Sequence, residues 1–157
     1  MRLTLQTDFA LRVLIHVGIN GERTTIGDIA AGFGISKNHL MKVVNDLGRR
    51  GYLETLRGRN GGIRLMRAPS EINIGRLVRQ TEDELNVLGC LAQAGYCCIE
   101  RVCVLRGAVR DATAAFLAVL DGYTLADLIA PRAALAELLL HRPPVPSAKA
   151  GVRVGGL

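Results

Sequence analysis

Four cysteines lie together in residues 90–103 of this 157-residue chain, which has no others: Cys90, Cys97, Cys98 and Cys103. Thiolates bind zinc and iron–sulfur clusters, but these cysteines are spaced too widely and irregularly for the paired knuckles of most structural zinc sites. The spacing C-x6-C-x5-C of Cys90, Cys97 and Cys103 suits a loop wrapped around an iron–sulfur cluster, and Cys98 is an alternative to Cys97. Zinc, a thiol redox switch and inert cysteines remain open alternatives.

The rest of the sequence predicts a reducing compartment for these thiols. The longest apolar stretch near the start, VLIHVGI, is too short to span a membrane, and there is no pattern of a secretory signal. We therefore expect a cytoplasmic protein with no membrane partner. Because the cytoplasm keeps thiols reduced, structural disulfides are not expected, and metal ligation or redox chemistry is the favoured use of the cysteines.

The net charge of +6 is concentrated in the N-terminal part of the chain. Residues 1–67 contain eleven Lys and Arg against five Asp and Glu, whereas the two signs are balanced in the remainder. Positive charge on one part of a protein attracts polyanions, although many basic surfaces are only solvated. Double-stranded DNA is therefore a candidate partner for this part.

The N-terminal part has the pattern of three helices. The segment TDFALRVLIHVGIN predicts a first helix with Thr7 or Asp8 as N-cap, and TTIGDIAAGFG predicts a short second helix that begins with a capping box. The segment ISKNHLMKVVNDLGRRG predicts a third helix that begins after Ser36. Apolar residues occupy one face of the third helix and polar or basic residues the other, as in the recognition helix of a helix-turn-helix.

A β-hairpin is predicted directly after the third helix. Its strands are residues 52–55 and 63–66, with a glycine-rich tip between them. A basic hairpin after a recognition helix indicates a wing, so residues 1–68 predict a winged helix-turn-helix DNA-binding domain. The residues expected to contact DNA lie at the start of the recognition helix and on the wing: Ser36, Lys37, Asn38, His39, Lys42, Arg57 and Arg59.

Residues 69–130 are expected to hold the cysteines and a dimer contact. They predict a helix with a buried stripe of Ile74, Leu77 and Val78, a cysteine-bearing loop, a long helix over residues 105–120 and a short helix in YTLADLI. Small side chains in the stripe of the long helix suit close packing, so this helix is the candidate dimerisation helix, and an intramolecular contact is equally allowed. Residues 131–157 are expected to form a C-terminal segment whose Pro- and Gly-rich last part is mobile.

The fold class expected is mainly α. It combines a winged helix-turn-helix domain and its two-stranded wing with a long dimerisation helix and a cysteine-bearing cluster loop.

Several segments resemble a known family. LTLQTDFALRVLIHV, SKNHLMKVVNDLGRRGYLETLRGRNGGIRL and LDGYTLADLI, together with the three-cysteine loop, are similar to the iron–sulfur winged-helix regulators, a family that includes IscR. Within that family they resemble the branch of nitric-oxide-sensing repressors, over about residues 1–140. The resemblance implies a homodimer, operator DNA as partner, nitric oxide as signal and an iron–sulfur cluster in each subunit, 4Fe–4S rather than 2Fe–2S. It also implies a protein that is not an enzyme and that releases DNA when the cluster is nitrosylated or lost.

The resemblance implies Cys90, Cys97 and Cys103 as metal ligands. The chain departs from the family pattern because the gap between Cys90 and Cys97 is longer and Cys98 is an additional thiol, which leaves Cys98 as an alternative to Cys97. In part of the nitric-oxide-sensing branch, an aspartate at the start of the first helix is a fourth ligand from the other subunit. Asp8 matches that position, and on the residues alone it is equally an N-cap carboxylate.

Two further functions remain open on the sequence. Within the same family, an IscR-like regulator senses iron–sulfur cluster supply or redox state. In a different class, a metal-free thiol redox regulator binds DNA without any cluster. An electron-transfer protein has no need of the basic wing, and the sequence contains neither a nucleophile with its base nor a phosphate-binding glycine loop.

Overall fold

The computed structural model describes residues 2–21, 24–56, 58, 61–93 and 95–140. Two antiparallel strands form the wing, β1 (Leu53–Leu56) and β2 (Gly62–Leu65), and short 3-10 turns occupy Pro69–Glu71 and Glu100–Val102. None of the helices in these ranges has the length and apolarity that a membrane crossing requires. The helices are α1 (Leu5–Asn20), α2 (Ile26–Phe33), α3 (Lys37–Arg49), α4 (Ile74–Thr81), α5 (Gly89–Ala92), α6 (Val104–Asp121), α7 (Leu125–Leu128) and α8 (Arg132–Leu140).

Helix α1 begins earlier than the sequence predicted. Its N-cap is Thr4, whose hydroxyl accepts a hydrogen bond from the backbone N–H of Thr7 at 3.3 Å. The prediction of Thr7 or Asp8 as N-cap is therefore wrong, since both lie inside the first turn. The Asp8 carboxylate instead accepts from Arg12 one turn along the helix, at 3.0 Å. A carboxylate in the first turn is still favoured by the helix dipole.

Side-chain caps define the helix-turn-helix as predicted. Asp28 accepts from the backbone N–H of Thr25 at 2.8 Å, and the Thr25 hydroxyl accepts from the backbone N–H of Asp28 at 3.2 Å. Gly34 ends α2 with a left-handed φ of 67°, which glycine adopts without steric cost. Ser36 then caps α3 by accepting from the backbone N–H of His39 at 3.3 Å.

One apolar core joins α1, α3, the wing and α4. The predicted inner face of α3 is buried, and α1 is buried on more than one side, as its sequence indicated. The predicted stripe of α4 is buried as well. The largest fully buried side chains are Tyr52, Leu14, Ile29, Leu40, Leu47, Leu53, Ile72, Leu77, Leu125, His16, Val13 and Val17.

The wing is the predicted hairpin, although β1 and β2 each lie one residue away from the predicted strands at residues 52–55 and 63–66. Leu53 pairs with Leu65 and Leu56 with Gly62, and the buried side chain of Ile63 attaches the sheet to the core. The backbone N–H of Ile63 also donates to the carbonyl of Thr24 at 2.7 Å. The order of three helices followed by a hairpin confirms the predicted winged helix.

The C-terminal half departs from the prediction in two places. The cysteine segment was expected to be a loop, but it contains the short helix α5 and a 3-10 turn. Helix α8 was not predicted; it packs against α1 and α2. Its Arg132 guanidinium donates to the carbonyls of Gly18 and Ile19 at the end of α1. The expected mobile tail, residues 141–157, lies outside the described residues.

Candidate functional site

The outer face of α3 is polar and exposed. Ser36, Lys37, Asn38, His39 and Lys42 are all exposed, opposite the buried apolar face of the same helix. The acidic residue near the end of α3 is neutralised locally, because Asp46 pairs with Arg50 at 2.8 Å and with Arg49 at 3.5 Å. The structure therefore places the five predicted α3 contacts together on one surface with an excess of positive charge.

The first turn of α1 lies beside this surface, which sequence reasoning did not detect. The ring centroids of Phe9 and His39 are 6.2 Å apart, and the Gln6 amide donates to Asp46 at 3.4 Å. The only sign of this contact in the sequence was the presence of Gln6 and Phe9 at the start of an otherwise apolar helix.

Two predicted wing contacts, Arg57 and Arg59, lie outside the described residues and stay predictions. Within the described part of the wing, Arg64 pairs with Glu54 on the opposite strand at 2.8 Å. Such a cross-strand pair stabilises the register of the hairpin by a few tenths of a kcal/mol, on the order of 0.2–1.

The cysteines differ in their exposure. All four thiols are free; Cys90, Cys97 and Cys103 are half-buried, whereas Cys98 is exposed. Cys90 lies on α5, and Cys103 directly precedes α6. In the ranges that the structure describes, no three His, Cys, Asp or Glu side chains form a ready ligand set for a metal ion. The donor chemistry still fits an iron–sulfur cluster, because soft thiolates are its usual ligands and none of these is consumed in a disulfide.

The cysteine segment, defined here as residues 83–103, is held by local polar contacts. Arg106 donates to the carbonyl of Cys90 at 3.1 Å and pairs with Glu100 at 3.3 Å. The other carboxylate oxygen of Glu100 accepts from the backbone N–H of Gly95 at 2.7 Å. None of the described side chains of this segment is buried. Sequence reasoning missed Glu100 and Arg106, although opposite charges three residues either side of Cys103 were a usable signal.

A cavity of about 570 Å³ lies between this segment and α6. Cys103 and Arg106 line it, together with apolar side chains such as Leu91 and Leu117. One of the candidate ligands therefore faces open space within the protomer.

Asp8 is half-exposed at the start of α1, in the DNA-binding half of the chain. It pairs with Arg12, whose guanidinium lies 5.6 Å from the ring centroid of Phe33 on α2. The carboxylate is thus exposed enough to be reached from outside the protomer.

His16 is a packed core residue. It is 1% exposed, and its Nδ1 atom is 3.0 Å from the side-chain amide of Asn20. Its Nε2 atom is buried and has no hydrogen-bond partner among the described residues. Burial lowers the pKa of His16, and the charge of Asp28 opposes that shift. These features describe a packed side chain of the core.

The outer face of α6 is apolar and uncovered. None of the helix's residues is buried, and Val104, Leu105 and Val119 are 86%, 61% and 63% exposed. The opposite side of the helix contacts α4, where Leu117 and Leu120 pack against the core. An apolar stripe of this length is unusual on an isolated globular surface and marks an interaction site.

Comparisons with known proteins agree with the resemblance inferred from the sequence. The sequence profile of the Rrf2 family, described as an iron-dependent transcriptional regulator, matches residues 3–131. An HTH-type transcriptional regulator NsrR from Geobacillus kaustophilus strain HTA426 is 53% identical, over 90% of this chain and 99% of that protein. NsrR from Bacillus subtilis strain 168 is 49% identical, over 88% of this chain and 97% of that protein. The predicted resemblance was to this NsrR branch, and these relatives confirm it.

Solved structures support the fold. CymR (YrzC), the global cysteine regulator of B. subtilis, superposes with a TM-score of 0.66 at 21% identity, covering 83% of this chain and 98% of that one. IscR of T. potens gives a TM-score of 0.67 at 20% identity, covering 83% of this chain and 88% of that one. At these identities the likeness concerns the fold alone.

Proposed function

Because this chain belongs to the Rrf2 family of transcriptional regulators, we propose that it is a cytoplasmic repressor that senses nitric oxide through an iron–sulfur cluster and releases operator DNA when that cluster is lost. The similarity to NsrR over nine-tenths of the chain carries the proposal. The curated relatives are transcriptional regulators, so the protein is a regulator and not an enzyme, as predicted.

The DNA-binding role is assigned to residues 1–68. The exposed face of α3 supports contacts to base edges and phosphates by Ser36, Lys37, Asn38, His39 and Lys42. Arg57 and Arg59 of the wing are assigned to the minor groove or its flanks. A homodimer presents two such faces, so the distance between its recognition helices must match one turn of DNA.

The dimer contact is assigned to residues 69–130, through the uncovered apolar face of α6. We infer that a second copy of the chain covers this face, because two identical apolar stripes can bury each other around a two-fold axis. The proposed Asp8 ligand requires that the first helix of the partner also reach the cysteine segment in this dimer. The C-terminal residues 131–157 have no assigned role in either contact.

Three cysteines are the proposed ligands in each subunit: Cys90, Cys97 and Cys103. The greater exposure of Cys98 supports Cys97 as the ligand of the vicinal pair. Asp8 of the partner subunit is the proposed fourth ligand, and the proposed centre is 4Fe–4S rather than 2Fe–2S, as the family resemblance implies. When bound, such a centre supplies iron that is open to nitric oxide, since a carboxylate is a weaker ligand for it than a thiolate.

The residues of the chain account for the link between ligation and shape. No described side chain of the cysteine segment is buried, so ligation by three of its residues would fix its conformation. Release of those thiolates leaves the segment to relax against α6 and the partner's α1. A small displacement there changes the spacing of the two recognition helices and lowers operator affinity.

The test is an anaerobic purification followed by absorbance spectroscopy and operator binding before and after stoichiometric nitric oxide. We expect a brown protein whose absorbance bleaches as DNA is released. Cys103→Ser should prevent cluster binding, whereas Cys98→Ser, the matched control, should retain both absorbance and response. A colourless protein that binds DNA equally with and without nitric oxide would contradict the proposal and favour zinc or thiol chemistry. An equal loss in both variants would favour a thiol redox regulator.

A further inference from the structure

The residues at the end of α4 are fastened to the first turn of α1. The Glu82 carboxylate accepts from the backbone N–H of Thr4 at 2.8 Å and from the Thr4 hydroxyl at 3.0 Å. Beside it, the Thr7 hydroxyl donates to the Thr81 hydroxyl at 2.8 Å. Glu82 is 9% exposed, Thr81 5% and Thr7 0%. We call these four side chains the clasp.

The hydrogen bonds to Glu82 are not needed to cap α1. Thr4 already caps α1 through its own hydroxyl, so the helix has an N-cap without Glu82. Burying a carboxylate is unfavourable unless hydrogen bonds compensate it, and here both compensating donors come from one residue that is 78 positions away in the chain. The position of this buried acid explains its role. Glu82 directly precedes the cysteine segment, and its hydrogen bonds join it to the start of α1.

The other side of the same turn of α1 contacts the recognition helix. Gln6 donates to Asp46 of α3, and Phe9 lies against His39, one of the proposed DNA contacts. The start of α1 therefore contacts both the residue before the cysteine segment and α3. Because helices and packed cores move as rigid bodies, a displacement at Glu82 reaches α3 through Thr4, Gln6 and Phe9.

We propose that Glu82 is a positioning residue that couples the cysteine segment to the recognition helix through the first turn of α1. This inference rests on the proposed function, since it assigns the route by which ligation at the cysteines alters DNA binding. Glu82 acts from outside the ligand set: the carboxylate oxygen that accepts both hydrogen bonds is committed to Thr4. Without the clasp, the start of α1 is joined to α4 only through the apolar core, so a movement of the segment reaches α1 less directly. The DNA affinities of cluster-loaded and cluster-free protein should then become more similar.

The experiment compares the operator affinity of cluster-loaded and cluster-free protein, prepared without oxygen, for the wild type and three variants. Glu82→Ala removes the acceptor, Glu82→Gln retains an acceptor oxygen for both donors, and Glu84→Ala is the matched control at an exposed carboxylate two residues along. We expect Glu82→Ala to reduce the ratio of the two affinities by at least about fivefold. Glu82→Gln and Glu84→Ala should retain the wild-type ratio, and all variants should keep the cluster absorbance.

Three outcomes would overturn the proposal. An unchanged ratio in Glu82→Ala beside a large wild-type ratio rejects the clasp and leaves the proposed function intact. Loss of absorbance in both Glu82 variants makes the residue a metal ligand. If cluster-loaded and cluster-free wild-type protein bind the operator with equal affinity, the proposed function is rejected, and so is the coupling role of Glu82.

A second variant covers the case in which Glu82→Ala does not fold. Thr7→Val keeps the shape of the side chain and removes the hydroxyl that joins Thr81, which still donates to the carbonyl of Leu77 at 3.0 Å. A ratio reduced by at least about twofold in folded Thr7→Val supports the coupling. A wild-type ratio in that variant contradicts it.

Discussion

The two halves of the chain differ in what fixes their shape. Around the proposed DNA-binding domain, side chains of α1, α3, the wing and α4 form one buried core. In the cysteine segment and along α6, no described side chain is buried. The first region takes its conformation from its own packing, whereas the second lacks such packing. In the proposed function, a second copy of the chain along α6 and ligation at the cysteines supply it. The proposed sensing depends on this contrast, because only a region that is not already fixed can change with its ligand.

The largest effect is expected from a cavity in the packed region. Leu40→Ala deletes a fully buried side chain of α3 and should lower the free energy of unfolding by about 2–5 kcal/mol, measured by urea denaturation. Leu138→Ala is the matched control, because Leu138 is 60% exposed and its truncation should cost less than about 0.5 kcal/mol. An equal loss of unfolding free energy in the two variants would show that the difference in burial between Leu40 and Leu138 does not govern stability.

The next effect concerns the uncovered face of α6. Replacing Leu105 and Val119 together by Glu should convert the proposed dimer to a monomer in light scattering and lower operator affinity by at least about tenfold, because the two DNA-binding faces are no longer tethered to each other. The fold should persist in circular dichroism, since neither side chain is buried. Asp111→Asn changes an exposed side chain of the same helix and should leave the dimer intact. A dimer that survives the double substitution would place the interface elsewhere.

A smaller, local effect should be visible by hydrogen exchange. In cluster-free protein, amides of the cysteine segment should exchange much faster than those of α1 and α3, because none of its described side chains is buried. Loading the cluster should slow exchange in the segment and leave the core amides unchanged. Strong protection of the segment without a cluster would remove the contrast between the two regions.

The sequence predicted those parts that local rules control. The capping residues Thr25, Asp28 and Ser36 and the buried stripe of α4 follow from spacing alone. The start of α1 was misplaced because Thr4, Thr7 and Asp8 all have capping chemistry, and the contacts of Thr7 with Thr81 that decide between them are distant in sequence.

Other features of the site could not be predicted either, because they also depend on contacts between residues that are distant in sequence. The segment RAALAELLL of α8 is apolar on nearly all sides, so its periodicity gave no sign of the face that packs on α1 and α2. The clasp at Glu82 joins residues that no local pattern relates. The proposed ligand set would depend on a metal and on a second subunit, so the resemblance suggested it and spacing alone left the choice between Cys97 and Cys98 open.

The smallest predicted effect tests the packed region through pH. Burial lowers the pKa of His16 below its ordinary value, although Asp28 acts in the opposite direction. The folded state therefore binds a proton at this residue less readily than the unfolded chain. The contribution of the uncharged His16 ring to the free energy of unfolding should be fully present above the unfolded pKa of about 6.5. It should be lost as the pH falls below that value towards the folded pKa.

His16→Leu removes the titrating ring and the unpaired Nε2 atom, so the free energy of unfolding should decline less between about pH 7.5 and about pH 5.5 than in the wild type. His39→Leu, at an exposed position on α3, is the control and should keep the wild-type decline. Urea denaturation at the two pH values measures both. A wild-type decline that persists in His16→Leu would assign the acid sensitivity to other groups and would leave the buried ring of α1 as packing only.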